Sequence, residues 1–207
     1  MTKHIPALCV ITDTHIQSRF SHLKLAEQAL KGGAKMLQFR DKYLSDEAFQ
    51  QIATELKLLC NAFEATLIIN DRVHIAKSVN SDGVHIGQQD MPIQDARKVL
   101  GSNKIIGVST STLEEAQKAY HAGADYIGFG HIFLTSTKHK LGASLGPEMI
   151  KSVKNISPVP VMAIGGITLE NAHSVFESGA DSIAVVSAIC TAKNPKKATE
   201  SFIQITK

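Results

Sequence analysis

Short apolar runs alternate with amphipathic stretches eight times along the chain, and the junction between them keeps recurring. Gly-Gly-Ala-Lys stands at 32–35, and Gly-Ala-Asp at 123–125 and again at 179–181. Each junction reads as a helix stopped on glycine and a return into a strand. The apolar runs are Ala7–Asp13, Met36–Arg40, Thr66–Asp71, Gly83–Gly87, Lys104–Thr110, Asp125–Gly130, Val159–Gly166 and Ser182–Ala188. Their nearly continuous apolar character fits strands of a parallel sheet, buried on both faces. Eight such units predict an α/β fold of the (β/α)8 TIM-barrel type. A doubly wound open sheet is the alternative, but it does not naturally need eight units in so few residues.

The stretches between the runs carry helix signals. Ser21 caps a stripe of Leu23, Ala26, Ala29 and Leu30, and Ser45-x-Glu47 opens a longer one through Phe49, Ile52, Leu56 and Leu59. Short or capped helices follow at Arg72–Lys77, from Pro92 to about Gly101, from Thr112 to Tyr120 and from Pro147 to Lys154. Thr168 is the expected cap of the helix holding Ala172, Val175 and Phe176, and a last helix closes the chain.

With 207 residues, 43% of them hydrophobic, the chain suffices for one core and one catalytic domain over 1–207. A net charge of +3 does not imply a nucleic-acid-coating surface. Cys9, Cys60 and Cys190 are far apart and show no metal-ligand spacing, and Cys9 and Cys190 read as core side chains. The opening Met-Thr-Lys-His and its interrupted apolar run resemble neither a secretory signal nor a membrane span. A soluble, cytoplasmic protein is expected.

In a barrel of this kind all strands end on the face that carries the site, so residues distant in sequence can be pooled. Gln38, Arg40 and Lys42 alternate along the second run and project to one side, an amide and two cations aimed at one place. That set suits an anionic ligand that also carries a hydrogen-bonding ring, although a surface strand in water would look the same. The pool further holds Asn70, Asp71, Asp90, Ser109, His131, Thr135, Thr137, Lys138, Gly165, Gly166, Val186 and Ser187.

Two chemistries are visible in this pool. Gly165-Gly166 after the seventh run and Val186-Ser187 after the eighth occupy the usual phosphate station of such barrels, where backbone N–H groups receive the anion; a bare tight turn is the plainer reading. Asp71 and Asp90, on neighbouring strands, are hard oxygen ligands suited to Mg²⁺ shared with a diphosphate, with Arg40, Lys42 and Lys138 nearby. Caps or ion pairs are the plainer reading of lone aspartates. The basic loop Thr135–Lys140 is long enough to cover the mouth, with Lys138 favoured as functional and His139 and Lys140 as solvated charge. His131 sits at the mouth, and His85 reads as an interior barrel residue rather than a catalyst.

Seven segments in order give the chain a resemblance to the thiamine-phosphate synthases: Gln38-x-Arg40-x-Lys42, Ile69–Arg72, Asp82–Asp90, Gly107–Ser109, Thr135–Lys138, Ala163–Ile167 and Val185–Ile189. The resemblance implies an Mg²⁺-dependent transferase of thiamine biosynthesis. It would join a hydroxymethylpyrimidine diphosphate to a thiazole phosphate and release pyrophosphate. By position, Gln38 would bind the pyrimidine. Arg40, Lys42, Asn70, Ser109 and Lys138 would hold the diphosphate, with Arg40, Lys42, Ser109 and Lys138 acting in catalysis. Asp71 and Asp90 would ligate Mg²⁺, and Thr135, Thr137, Gly166, Val186 and Ser187 would hold the thiazole phosphate.

The chain departs from that family where Leu134 stands in place of a common proline, and Gly130–Phe133 also resembles the sister thiazole tautomerases, in which a histidine there moves a proton. A non-catalytic thiazole-phosphate binding protein on the same barrel is a third reading. The intact Gln-x-Arg-x-Lys and both aspartates favour the synthase. The expected partners are small phosphorylated substrates, with no nucleic acid and no membrane; a homo-oligomer is left open.

Overall fold

Eight parallel strands close into a barrel in chain order, each bonded to its sequence neighbours and the eighth to the first. The structure, a computed structural model, describes residues 3–135 and 143–206. The strands are β1 Leu8–Thr12, β2 Met36–Phe39, β3 Thr66–Asn70, β4 Gly83–Ile86, β5 Ile105–Thr110, β6 Tyr126–Phe129, β7 Val161–Ile164 and β8 Ser182–Val185. The helices are α1 His22–Lys31, α2 Asp46–Ala62, α3 Val73–Ser78, α4 Ile93–Leu100, α5 Leu113–His121, α6 Glu148–Ile156, α7 Ala172–Glu177, α8 Ser187–Cys190 and α9 Pro195–Ile205.

Strand alternation divides the apolar side chains into two cores. Val10, Leu37, Phe39, Leu67, Ile69, Val84, Ile106 and Ile127 face outward, where the helices bury them. Cys9, Ile11, Met36, Ile68, Ile105, Tyr126, Met162 and Ala184 fill the barrel interior. Every apolar strand position except Ile164, which is half-buried at the cavity, is therefore buried, as a parallel sheet covered by helices requires. The three thiols are buried, and burial pushes each up to about 12, so they are packing groups. Among the described residues no helix is long and apolar enough to cross a membrane.

The recurrent junction has a mechanical explanation. Asp82, Asp125 and Asp181 each stand one residue before an even-numbered strand. Each accepts the backbone N–H of the strand before it, from Leu67 (2.8 Å), Ile106 (2.7 Å) and Val161 (2.7 Å). Each also pairs with a cation of the helix that leads into that earlier strand: Lys57 of α2 at 2.8 Å, Arg97 of α4 at 2.7 Å and Lys154 of α6 at 2.7 Å. One carboxylate thus ties two strands and a helix together at the N-terminal face. At the equivalent place before β2, Lys35 donates to the Phe63 carbonyl instead.

The sequence expectations are corrected in three places. β8 stops at Val185 rather than Ala188, because Val186 (φ −115°, ψ −83°) leaves the extended region and the next four residues form α8. α7 is capped by Asn171, not Thr168, and the Asn171 side chain takes the Thr168 N–H and donates to the Gly166 carbonyl. The buried stripes of α1 and α2 are rotated from the expected ones: His22 and Leu25 replace Leu23, and Ala53 and Cys60 replace Ile52 and Leu59. In both helices the small residues Ala and Cys allow close approach to the sheet.

Candidate active site

Going up the barrel axis, the interior side chains change from apolar to polar. Gln38 lies two residues beyond Met36, Asn70 two beyond Ile68 and Ser109 two beyond Gly107, so each stands one interior layer above. Together with Arg40, His85, His131, Thr135, Gly165, Gly166, Val186 and Ser187 they line a cavity of about 850 Å³, open mouth included, at the C-terminal face. A second cleft beside it is lined by Lys42, Gly87, Gln88, Asp90, Ser109 and Glu115. Ser109 belongs to both and joins them. Gln38, although polar, is only 3% exposed at the cavity wall.

The cations are held by carboxylates. Arg40 Nη1 donates to Asp13 Oδ2 at 3.0 Å, and Lys42 Nζ lies 3.6 Å from Asp71 Oδ2. Asp71 adopts a left-handed backbone (φ 60°), a conformation that aspartate tolerates better than most residues. Its N–H is held by the His85 carbonyl at 2.9 Å, which fixes the turn leaving β3 against β4. Asp90 Oδ2 accepts the Gly87 N–H at 2.7 Å. Burial, then a hydrogen bond and charge repulsion from Asp90, push the Asp71 carboxyl above its usual value; Lys42 acts the other way. Two carboxylates drawn together so that one resists ionising are a fitting seat for a cation. Among the described residues no three His, Cys, Asp or Glu side chains gather as a ligand cluster, so a cation there would complete its shell with water and ligand oxygens, as Mg²⁺ does.

The opposite wall is built from Gly165 (φ 102°) and Gly166 (φ 66°). A side chain at Gly166 would run into the Leu134 carbonyl and the Phe133 Cβ, and one at Gly165 into His131. The Phe133 N–H bonds the Gly165 carbonyl at 3.0 Å, so the segment 131–135 rests directly on the Gly-Gly turn. That seat brings His131 and Thr135 to the cavity. Thr137 and Lys138, with His139 and Lys140, lie outside the described residues.

Two groups of site residues were not singled out from sequence. Asp13, at the end of β1, orients Arg40 and also accepts the His15 N–H at 2.8 Å. Asp41 is buried between the ends of β1 and β2, where His15 Nε2 and His22 Nε2 each lie 3.1 Å from its Oδ2 and the Tyr43 and Leu44 N–H groups bind its Oδ1. The available signal was position: both aspartates stand at the C-terminal ends of apolar runs, as Asp71 does. His85 is an interior residue, as expected, with Nδ1 2.8 Å from the Tyr126 hydroxyl and Nε2 2.8 Å from Ser109 Oγ.

Known proteins resemble this chain along most of its length. Residues 8–189 match the family model described as thiamine monophosphate synthase. The chain is 48% identical over 202 residues to the thiamine-phosphate synthase of Chlorobium phaeobacteroides, covering 98% of this chain and 97% of that one. It is 43% identical to the synthase of Methanosarcina mazei, over 95% of this chain and 81% of the relative. The solved thiamine phosphate pyrophosphorylase of Pyrococcus furiosus superposes with a TM-score of 0.88 at 37% identity, covering 96% of this chain and 94% of that one.

Proposed function

The chain belongs to the thiamine monophosphate synthase family, and from that premise we propose that it joins 4-amino-2-methyl-5-hydroxymethylpyrimidine diphosphate to 4-methyl-5-(2-phosphooxyethyl)thiazole. The products are thiamine phosphate and pyrophosphate. The observation that carries the reading is the Asp71–Asp90 pair beside Lys42, in a cleft that Ser109 joins to the main cavity. Neither a thiazole tautomerase nor a simple thiazole-phosphate binder has a use for a cation seat next to a second anion site.

The substrates divide between the two walls. Gln38 receives the pyrimidine edge. Arg40, Lys42, Asn70 and Ser109, with Lys138, hold the diphosphate, and Asp71 and Asp90 would hold Mg²⁺. Gly166, Val186 and Ser187 offer backbone and hydroxyl donors to the thiazole phosphate, with Thr135 and Thr137 alongside. Mg²⁺ bound there would offset charge on the leaving diphosphate.

The bond that breaks joins the exocyclic carbon to the diphosphate oxygen, and the electron pair leaves with that oxygen. The aminopyrimidine ring donates density to the carbon. The thiazole nitrogen then supplies its lone pair to the new C–N bond. That nitrogen carries no proton, so no general base is required. Arg40, Lys42, Ser109 and Lys138 need only stabilise the departing charge, while the cavity walls align nitrogen and carbon. Asp13 keeps Arg40 extended toward that charge.

Residues 1–207 are read as one catalytic domain, acting in the cytoplasm on small phosphorylated substrates. Purified protein given both substrates and Mg²⁺ should form thiamine phosphate and pyrophosphate in equal amounts. Interconversion of thiazole tautomers without metal, and no pyrophosphate, would overturn the reading.

A further inference from the structure

A polar chain runs up the barrel axis to the site. Tyr126 on β6 is wholly buried, and its hydroxyl lies 2.8 Å from Nδ1 of His85 on β4. The Nε2 of His85 lies 2.8 Å from the hydroxyl of Ser109 on β5. Two glycines make room for this chain. A Cβ at Gly107 would fall inside the Tyr126 ring, and one at Gly128 would sit 2.8 Å from His85 Cε1. Five interior positions on three adjacent strands are thus fitted to one another.

Counting protons gives the chain a direction. Burial pushes the Tyr126 phenol well above its ordinary value, so its proton stays on. His85 Nδ1 is the hydrogen-bond partner of that hydroxyl, and no buried side-chain polar atom among the described residues lacks a partner. Were Nδ1 to carry the imidazole proton, the phenolic proton would be buried with nothing to bond, a costly arrangement. Tyr126 therefore donates to Nδ1, and the ring proton lies on Nε2. The Nε2–H donates to Ser109 Oγ. The serine's own proton cannot then point down at His85, and it turns toward the cavity and cleft that Ser109 lines.

We propose that Tyr126 is a positioning residue: through His85 it makes Ser109 a hydrogen-bond donor toward the diphosphate that leaves. The identity of that acceptor rests on the function proposed above; the tautomer of His85 does not. With the opposite tautomer, Nε2 would accept the serine proton and Ser109 would present only lone pairs to an anion. Tyr126 touches no substrate, and its effect is entirely on where one proton points.

The test combines a spectrum with kinetics. Protein carrying ¹⁵N-labelled histidine is examined by long-range ¹H–¹⁵N correlation, with the His85 signals assigned by their loss in His85→Gln. The wild type should show the Nε2–H tautomer, and Tyr126→Phe should shift His85 toward Nδ1–H. Tyr126→Phe should also lower kcat about 10- to 100-fold, with KM for the thiazole phosphate unchanged. The same substitution should add nothing on a Ser109→Ala background. A wild-type His85 with its proton on Nδ1 would overturn the proposal, and that spectrum decides the matter even if Tyr126→Phe does not fold. A full Tyr126→Phe effect in Ser109→Ala would overturn it too. The Nε2–H tautomer in a protein without synthase activity upholds the relay and overturns the function instead.

Discussion

Arg40 Nη1 stands 3.0 Å from Oδ2 of Asp13, a carboxylate that is 3% exposed. The pair links the end of β1 to the residue after β2, and it sets the direction in which the guanidinium enters the cavity. Asp13→Asn removes the charge and keeps the shape. It should lower kcat/KM by about 10- to 100-fold, since loss of fine placement alone reaches that scale. Steady-state kinetics with each substrate varied in turn should place most of the loss on the pyrimidine diphosphate. An unchanged kcat/KM would mean that Arg40 is oriented without Asp13.

Asp71→Asn separates function from stability. Burial and the facing Asp90 make an ionised Asp71 costly in the metal-free protein. Neutralising it should leave the metal-free melting temperature unchanged or raise it, while activity at limiting Mg²⁺ falls. Calorimetry with and without Mg²⁺ checks this: added Mg²⁺ should stabilise the wild type and have little effect on the variant. Equal stabilisation of both would place the cation elsewhere.

Gly166→Ala should strike the phosphate wall. The residue has φ 66°, and a Cβ would press on Leu134 and Phe133. The substitution combines backbone strain of about 1 kcal/mol with displacement of the segment that carries Thr135. KM for the thiazole phosphate should rise about tenfold or more, with KM for the pyrimidine diphosphate changed less. Equal changes in both would mean that the turn supports the whole mouth rather than one substrate.

The buried His22–Asp41 contact predicts an acid-sensitive fold. Burial lowers the His22 pKa below 6.5, outweighing the Asp41 hydrogen bond that raises it. An unfolded chain therefore takes up this proton first, so stability is full above about 6.5 and is lost as pH falls through the lower folded-state value. Burial also pushes Asp41 up, yet hydrogen bonds from Tyr43, His22, Leu44 and His15 outweigh it and hold the carboxyl at about 2. Its contribution is present above about 4 and is lost toward 2. Urea titrations from pH 8 to 5 should show a decline that is flatter in His22→Gln. A decline of the same slope in that variant would exclude His22 as its source.

Asp125 tests the N-terminal face. It accepts from Lys3, Arg97 and the Ile106 N–H, far from the mouth. Asp125→Ala should cost about 1–3 kcal/mol in urea unfolding, because it leaves the Ile106 N–H without its acceptor and removes the carboxylate that Lys3 and Arg97 share. The activity of the folded fraction should not change. A loss of activity without a loss of stability would contradict the assignment of this face to folding alone.

The barrel was legible because its signals are local and repeated. Eight buried apolar runs are readable without any partner, and so are glycine stops such as Gly32-Gly33 and Gly123. Pooling strand ends groups Gln38, Arg40, Asn70, Ser109 and Gly166, and the structure has them lining one cavity, since closing the barrel brings all strand ends to one rim. What escaped depended on relations between strands. Asp13 looked like any strand-terminal aspartate until β2 placed Arg40 beside it. Tyr126 looked like one more strand aromatic, and only the register of β4, β5 and β6 sets it under His85 and Ser109. The end of β8 was misplaced because Val185-Val186 favours a strand by composition, and the turn into α8 leaves no mark in residue type.

The central claim is tested most directly by pyrophosphate release from purified protein given pyrimidine diphosphate and thiazole phosphate, together and singly, with Mg²⁺ or with chelator. Release that requires both substrates and the cation, matched mole for mole by thiamine phosphate, is the predicted result. Release from the pyrimidine diphosphate alone, or none with all three present, would contradict it.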